Sequence, residues 1–368
     1  MFYELAKSDY EKAQPIFNAM NYNLAPISVI KGRLPGKIYV DDPLLPGAAL
    51  TWVKHRFYLA GDPGNKAFDL ALQNFFATEV FGQSPASGDY GMVLYYAPDE
   101  WQDRIEIILE DKFPIKSQRQ YYAGGKLEKE WREFIPKGYS LRPIDAKLLA
   151  QTHLKNYESM IAEIHSERYS LQQYLRQDFG FCVLQGDEIA GLCFSEHTTG
   201  RRCEVGVQTF REHRRQGLAT AMSLALIEHA LSRGITRVGW HCYARNKGSI
   251  ATAQKAGFEK MRDYPACYIC FKKADNLAEH GYKHFHQGEY HQAINCWQEA
   301  FETGDAPAWA YYMAARAWAA CKDRERAFQH LCKAIGKGWR NIDSIKSTQE
   351  FSAWLGTPEW KKVLAQFE

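Results

Sequence analysis

The pattern of apolar and polar positions divides the chain into three stretches of different character. In the first stretch, residues 1–136, short apolar runs alternate with segments of helical periodicity. Helices are predicted near Ser8–Met20, Pro63–Phe81 and Asp99–Leu109. Strands are predicted near Lys37–Val40, Ala48–Val53, His55–Ala60 and Met92–Tyr96. This mixture of helices and short strands predicts a domain of the α/β (α+β) class.

The second stretch, residues 139–273, repeats this order of elements. Strands are predicted at Tyr139–Pro143, Gly180–Gln185, Ile189–Ser195, Cys203–Thr209, Arg237–Tyr243, Phe258–Met261 and Ala266–Lys272. Helices are predicted near Ala146–Ile161, Ser170–Gln177, Gln216–Arg233 and Lys247–Ala256. The shared order indicates an ancient duplication, and therefore two mixed-sheet domains in tandem.

The third stretch, residues 274–368, is helical and internally repeated. Small residues flank a large apolar one in Ala293, Trp297 and Ala300, and the pattern recurs as Ala327, Leu331 and Ala334. This pattern resembles tetratricopeptide repeats, whose period is about 34 residues. The resemblance implies a concave surface for a protein or peptide partner. An ordinary helical bundle with an accidental repeat is the alternative.

Composition narrows the possible functions. Lys and Arg total 46 against 43 Asp and Glu, a balance that argues against a nucleic-acid clamp and gives no attraction to a membrane surface. The start of the chain lacks the apolar core of a signal peptide, and no charge-free run is long enough to span a bilayer. Nine scattered cysteines favour free thiols in a reducing compartment, so we expect a cytoplasmic protein.

The turn between the strand ending at Thr209 and the next helix carries the clearest chemistry. Gly217 lets the backbone approach a ligand closely, and Ala219 keeps the next contact small. Arg214 and Arg215 add positive charge beside the unpaired amides of the helix start. These features favour a pyrophosphate, although a basic surface turn would share them. The sequence contains neither G-x-x-x-x-G-K-S/T nor G-x-G-x-x-G, so the common nucleotide-binding motifs are excluded.

Arg214-x-x-Gly217-x-Ala219, followed by Asn246-x-x-Ser249 and Gly257-Phe258, resembles the GNAT acyltransferase superfamily over residues 139–273. The resemblance implies acetyl-CoA or another acyl-CoA as donor, and a fourth strand that separates from the fifth. The exposed strand edge for the pantetheine arm would be Val207, Gln208 and Thr209. The pyrophosphate would be bound by Arg214, Arg215, Gln216, Gly217, Leu218, Ala219 and Thr220, with Asn246 and Ser249 on the pantetheine and phosphate side.

The resemblance also implies direct attack of a primary amine on the acyl thioester, with a backbone N–H near Val207 polarising the carbonyl. The proton of the amine then needs a base. Glu204 is the first candidate and Glu196 the second. The family often places a tyrosine acid where this chain has Ala253. The substitute acids are Ser249, Cys242, Tyr243 and Tyr264. His213 and His241 are expected to border the cofactor cleft.

The first stretch lacks this phosphate motif. At the corresponding turn Pro63 removes a backbone donor and Asp62 would repel a phosphate. We therefore predict a degenerate GNAT-like domain followed by a catalytic one. This arrangement resembles a small group of bacterial acetyltransferases that includes the zwittermicin-type self-resistance enzymes.

Other patterns in the sequence do not predict a second site. Cys267 and Cys270 would face opposite sides of a strand, and His280 and His284 lack acidic partners, so no metal site is predicted. The acceptor is expected to be a small-molecule amine or a peptide. Two alternatives stay open: transfer of a longer acyl chain, and a non-catalytic adaptor that senses acyl-CoA, which the alanine at position 253 would favour.

Overall fold

A computed structural model describes residues 1–82, 89–124, 129–168 and 170–367. Its contacts divide the chain into two compact units. The first comprises Met1–Phe75, Val93–Ile108 and Lys116–Cys267, and the second comprises Phe76–Met92, Leu109–Ile115 and Tyr268–Glu368. Within the described residues, no helix is long and apolar enough to cross a membrane.

The strands of the described residues form one 12-stranded mixed sheet. The strands are β1 (Tyr3–Glu4), β2 (Lys37–Val40), β3 (Ala48–Val53), β4 (Arg56–Gly61), β5 (Gly91–Ala97), β6 (Ile115–Gly124), β7 (Tyr139–Pro143), β8 (Gly180–Gln185), β9 (Glu188–Thr199), β10 (Arg202–Thr209), β11 (Arg237–Tyr243) and β12 (Glu259–Cys270). They lie in the order β1-β2-β3-β4-β5-β12-β6-β11-β10-β9-β8-β7. The sheet is antiparallel except for the parallel pairs β4·β5 and β10·β11 among the pairings described.

The α-helices are α1 (Gln14–Phe17), α2 (Leu24–Ile30), α3 (Lys66–Phe75), α4 (Trp101–Ile108), α5 (Ala146–Leu149), α6 (Tyr157–Glu167), α7 (Leu171–Gln177), α8 (Leu218–Ser232), α9 (Lys247–Lys255), α10 (Lys273–His286), α11 (Tyr290–Glu302), α12 (Ala308–Ala320), α13 (Arg324–Gly336), α14 (Ile342–Ser347) and α15 (Pro358–Leu364). A π-helix, Phe76–Val80, follows α3. The 3-10 helices are Lys7–Ala13, Asn18–Met20, Glu110–Lys112, Trp131–Phe134, Arg211–His213, Gln349–Trp354 and Ala365–Phe367.

Most predicted elements of residues 1–273 are confirmed, and three predictions need correction. The single helix expected near Ala146–Ile161 is interrupted between α5 and α6, where Asn156 adopts a left-handed φ of 68° that a helix does not accommodate. The strands expected at Phe258–Met261 and Ala266–Lys272 are one strand, β12, because the extended backbone continues through Pro265. The helix expected near Ser8–Met20 is α1 with a 3-10 segment at each end.

The sequence prediction also missed α2 and β6, and β6 matters most for the site. β6 pairs antiparallel with β11, placing Tyr121 opposite His241 and Arg119 opposite Tyr243. In the sheet order β12 lies between β5 and β6. The last strand of each predicted stretch therefore lies among strands of the other stretch. The division into a first and a second GNAT-like domain stays a prediction.

The second unit is built on helix pairs. Helices α10 and α11 pack together, as do α12 and α13. The repeated small residues are buried, and the Trp297 indole is fully buried with its N–H donating to the Ala278 carbonyl at 3.0 Å. A Cβ at Gly281 would collide with that indole, so α10 needs a glycine there. The resemblance to tetratricopeptide repeats stays a prediction.

Candidate active site

The site begins where β10 and β11 separate. The two strands pair in parallel only from Arg202 to Val205 with Arg237 to Trp240. Beyond that point, residues 206–209 pair with β9, and no pairing to β11 is present in the described residues. By contrast, β4 and β5 remain paired from Arg56 to Ala60. One side of β10 thus has a free edge at Val207, Gln208 and Thr209, as the sequence predicts.

The basic turn follows directly from this edge. After a 3-10 turn at Arg211–His213, Arg215 and Gly217 adopt left-handed φ values of 62° and 85°, and α8 begins at Leu218. In the part of the chain that the structure describes, no backbone carbonyl accepts from the amides of Arg215, Gln216 or Gly217. The side chains of Arg215 and Gln216 are exposed. The turn therefore offers free donors at the positive end of a 15-residue helix.

The remaining residues of the predicted pyrophosphate site are less accessible. Leu218 and Thr220 are buried, with Thr220 only 4% exposed, so any contact there is to the backbone amide. Ala219 is half-buried, and Arg214 donates from Nε to the Thr209 carbonyl at 3.0 Å. His213 is buried beside the turn, and its Nδ1 lies 3.0 Å from the Tyr139 hydroxyl.

Asn246 and Ser249 have structural partners at the start of α9. The Asn246 side chain caps the helix by accepting from the Ser249 amide at 3.0 Å. The Ser249 hydroxyl accepts from the Trp240 indole N–H at 3.0 Å and also lies close enough to the Cys242 thiol to act on its pKa. Both residues line the cavity described next.

A cavity of about 440 Å³ opens at the separated strands. Successive side chains of a strand point to opposite faces of the sheet. Glu204, Gly206 and Gln208 of β10 therefore lie on one face, together with His241 and Tyr243 of β11. The opposite face, with Val205 and Trp240, packs in the core under α8 and α9. Of the predicted site residues, Glu196, Glu204, Val207, Gln208, Cys242, Tyr243, Asn246, Ser249 and Tyr264 line the cavity.

Glu204 is fixed from two directions. Its Oε1 accepts from the backbone N–H of Leu24, at the start of α2, and lies 3.3 Å from Nε2 of His241. The second contact is an ion-pair distance without hydrogen-bond alignment. Burial acts to raise the pKa of Glu204, but the imidazoles of His241 and His197 and the Leu24 amide outweigh it. The net pKa lies below the ordinary value, so the carboxylate stays charged.

His241 links Glu204 to a buried tyrosine. Its Nδ1 lies 2.8 Å from the Tyr264 hydroxyl, and its ring stacks on Tyr121 with centroids 4.9 Å apart. Tyr264 is only 2% exposed, and burial raises its pKa well above the ordinary range. The phenol therefore keeps its proton and donates to Nδ1. Glu204, His241 and Tyr264 form one polar chain along the cavity wall.

Glu196, the second predicted base, lies directly opposite Glu204 across the β9·β10 pair. Its carboxylate extends over Gly206, where a Cβ would collide with it. Two other predicted acids also line the cavity. Burial raises both the pKa of the Cys242 thiol and the pKa of the Tyr243 phenol. Ala253 is fully buried in the core, so this position does not face the cavity.

Sequence reasoning missed the Leu24 amide and Arg119, and gave His241 only a bordering role. Each depends on a contact between residues far apart in the chain: Leu24 reaches Glu204 from 180 positions away. If β6 had been recognised as a strand, the position of Arg119 in the sheet could have been predicted. Within the described ranges, no group of three or more His, Cys, Asp or Glu is arranged to hold a metal ion.

Comparison with known proteins agrees with this geometry. A family model described as GNAT acetyltransferase matches residues 14–267. The uncharacterized N-acetyltransferase YdfB of Bacillus subtilis (strain 168) is 26% identical over 268 residues, which are 72% of this chain and 97% of that protein.

Two solved structures share the fold. A GCN5-related N-acetyltransferase-like protein from Streptococcus suis has a TM-score of 0.54 and 21% identity, covering 72% of this chain and 98% of its own. A GCN5-related N-acetyltransferase from Sphaerobacter thermophilus has a TM-score of 0.50 and 12% identity, covering 74% and 96%. The family match spans well over half of the chain, and so this protein belongs to the GNAT acetyltransferase family.

Proposed function

We propose that the protein transfers an acetyl group from acetyl-CoA to a primary amine of a small molecule or peptide. The observation that carries the proposal is the separation of β10 from β11 after Val205, because it opens onto the cavity that holds Glu204 and His241. The strand edge proposed for the cofactor and the residues proposed for proton transfer thus border the same cavity.

The residues around this opening fit coenzyme A. The amides of residues 215–217 have no backbone acceptor among the described residues, and a Cβ at Gly217 would approach only Phe134, at 3.4 Å. Thr209 has a buried hydroxyl with no hydrogen-bond partner described. The pyrophosphate would lie on the turn at the start of α8, and the pantetheine arm along residues 207–209, where strand-like hydrogen bonds are available.

Acetyl-CoA supplies the thioester carbon that the amine nitrogen attacks; the C–N bond forms and the C–S bond breaks. Glu204 attracts the incoming ammonium, which loses one proton to water before the attack, and accepts the second proton as the C–N bond forms. Tyr264 gives its proton to the departing sulfur. Glu204 then releases its proton to water and Tyr264 regains one from water, while His241 holds the phenol at Nδ1 and lies beside Glu204 at Nε2. This route replaces the tyrosine that the family often has at position 253.

The lining favours a short acyl group over a long one. Three glutamates, three histidines and two arginines face the cavity, and an alkyl chain would leave these groups without water. The helical region as a surface for a protein or peptide partner stays a prediction from the sequence.

The test is release of the CoA thiol from acetyl-CoA in the presence of a panel of primary amines. Tight acetyl-CoA binding without release for any amine would favour the sensing adaptor and defeat the proposal. For the cofactor site, we expect Gly217→Glu to weaken CoA binding at least about 100-fold in titration calorimetry, through a clash and charge repulsion.

Gly186→Glu is the matched control for this variant. Gly186 also has a left-handed φ, 58°, in an exposed turn outside the cavity lining. Its substitution introduces the same strain and charge, and CoA affinity should not change. Equal CoA affinities for Gly217→Glu and the wild type would refute the turn as the pyrophosphate site.

A further inference from the structure

Arg119 is a cation on the cavity wall that the proposed reaction does not use. It lies on β6 opposite Tyr243, and two residues from Tyr121, which lies opposite His241. Cross-strand partners and residues two apart share a face of the sheet. Arg119 therefore faces the same side as His241 and lines the cavity with it.

The neighbours of the guanidinium are tyrosines. Nη1 donates to the Tyr95 hydroxyl at 3.2 Å, and the group lies 4.6 Å from the centre of the Tyr243 ring. Burial acts to lower the pKa of Arg119, but Tyr95, Tyr264 and Tyr243 outweigh it, and the net pKa is raised. The residue is thus a permanent cation surrounded by neutral rings.

Arg119 takes part in none of the ion pairs found among the described residues. Its Nε is a buried donor with no hydrogen-bond partner in the same part of the chain. An unpaired cation and an unfilled donor are both costly when shielded from water. A ligand anion in the cavity would satisfy both, and the fork of a guanidinium suits a carboxylate best.

A second buried donor without a described partner belongs to a residue that lines the same cavity. Asn23, just before α2, is only 5% exposed and lines the cavity, and its Nδ2 has no hydrogen-bond partner among the described residues. The following residue, Leu24, contacts Glu204. Asn23 therefore offers a donor to an oxygen of the acceptor near the base.

Glu204 and Arg119 lie close enough together for one small molecule to contact both side chains. His241, beside Glu204, and Tyr243, opposite Arg119, are two residues apart on β11, about 7 Å along a strand. Glu196 and Glu204 attract a cationic amine, and Arg119 attracts an anion.

We infer that the acceptor is an amino acid or a similar small molecule, whose amine lies at Glu204 and whose carboxylate is bound by Arg119. The inference rests on the proposed acetyl transfer and names its substrate class. It assigns to Arg119 the selection of acceptors that carry a carboxylate.

The experiment compares α-amino acids with the matching amino-acid amides, which lack the negative charge. Acetylation of each is followed by thiol release, and binding of each to the CoA-loaded protein by calorimetry. We expect wild-type protein to favour the acids. Arg119→Gln should raise their KM and Kd by about 10- to 100-fold, the loss expected for a charged hydrogen bond, and leave the amides within about 2-fold. Arg119→Lys should recover part of the loss.

Arg262→Gln is the control, because Arg262 also lies over a tyrosine ring, that of Tyr22, but is exposed and outside the cavity lining. It should leave the preference for acids unchanged, and thermal melts of both variants establish that they fold. Equal use of acids and amides by the wild type would overturn the inference and leave acetyl transfer intact. An equal loss for both classes in Arg119→Gln would overturn it too. If no amine were acetylated, selective binding of acids lost in Arg119→Gln would still support the anion site, and its absence would refute it.

Discussion

Replacement of Glu204 by glutamine and by alanine separates its chemical role from its structural one. Both variants remove the charge beside His241. Glutamine keeps an oxygen that can accept from the Leu24 N–H, whereas alanine leaves this buried donor without a partner. An unsatisfied buried donor costs about 1–3 kcal/mol, so we expect alanine to lower the free energy of unfolding by that amount, and glutamine by about half as much.

Activity should fall to a similar extent in both variants, unlike stability. If Glu204 accepts the amine proton, both variants should lose about 100- to 10,000-fold in kcat, the contribution typical of a general base. The assay is thiol release at saturating acetyl-CoA, beside denaturant titration of the same preparations. Glutamine should therefore abolish most activity at little cost in stability. Wild-type kcat in Glu204→Gln would refute the acid–base role and leave Glu204 as a structural anchor for α2.

Three further outcomes are expected. Gly206→Ala places a methyl group where the Glu196 carboxylate lies, and should raise acceptor KM without changing CoA affinity; unchanged acceptor kinetics would show that Glu196 does not contact the acceptor. The pKa of Glu204 lies below its ordinary value of 4.5, so the charged carboxylate stabilises the folded state fully above about pH 4.5, and this stabilisation is lost as the pH falls through the lower folded-state pKa. The melting temperature should therefore fall more steeply in acid for the wild type than for Glu204→Gln. Parallel curves of melting temperature against pH would contradict this. Trp297→Ala should destabilise the helical unit by about 3–5 kcal/mol in denaturant titration, and Trp309→Ala, at a half-buried position, by clearly less; equal losses would contradict the packing argument.

Local pattern predicted most of the secondary structure. β7, β8 and β11 have the predicted bounds, because each has alternating or continuous apolar positions between turn residues. β6 was missed because residues 116–120 are Lys-Ser-Gln-Arg-Gln, which read as a polar loop. Those residues form a strand because β11 and β12 lie on either side of it. Pairing between strands more than a hundred residues apart leaves no local signal.

The candidate site divides in the same way. The turn proposed to bind the pyrophosphate is local, since a strand end, a glycine and a helix start are adjacent in the chain, and the sequence contains all three. Glu204 was likewise suggested by its position on the strand before that turn. The contacts that hold Glu204 in place are not local. The Leu24 amide belongs to the first stretch of the chain, and Tyr264, which contacts His241, belongs to β12, the last strand along the chain.

The amino-acid sequence alone thus indicated most of the elements, the basic turn after β10 and the family, because each depends on residues close together along the chain. Only the tertiary structure decided which charges share the cavity. His241 connects Glu204 to Tyr264, and Arg119 reaches the cavity because β6 pairs with β11. A charge acquires its neighbours through packing between distant segments, and that packing places Arg119 in the same cavity as Glu204, His241 and Tyr264.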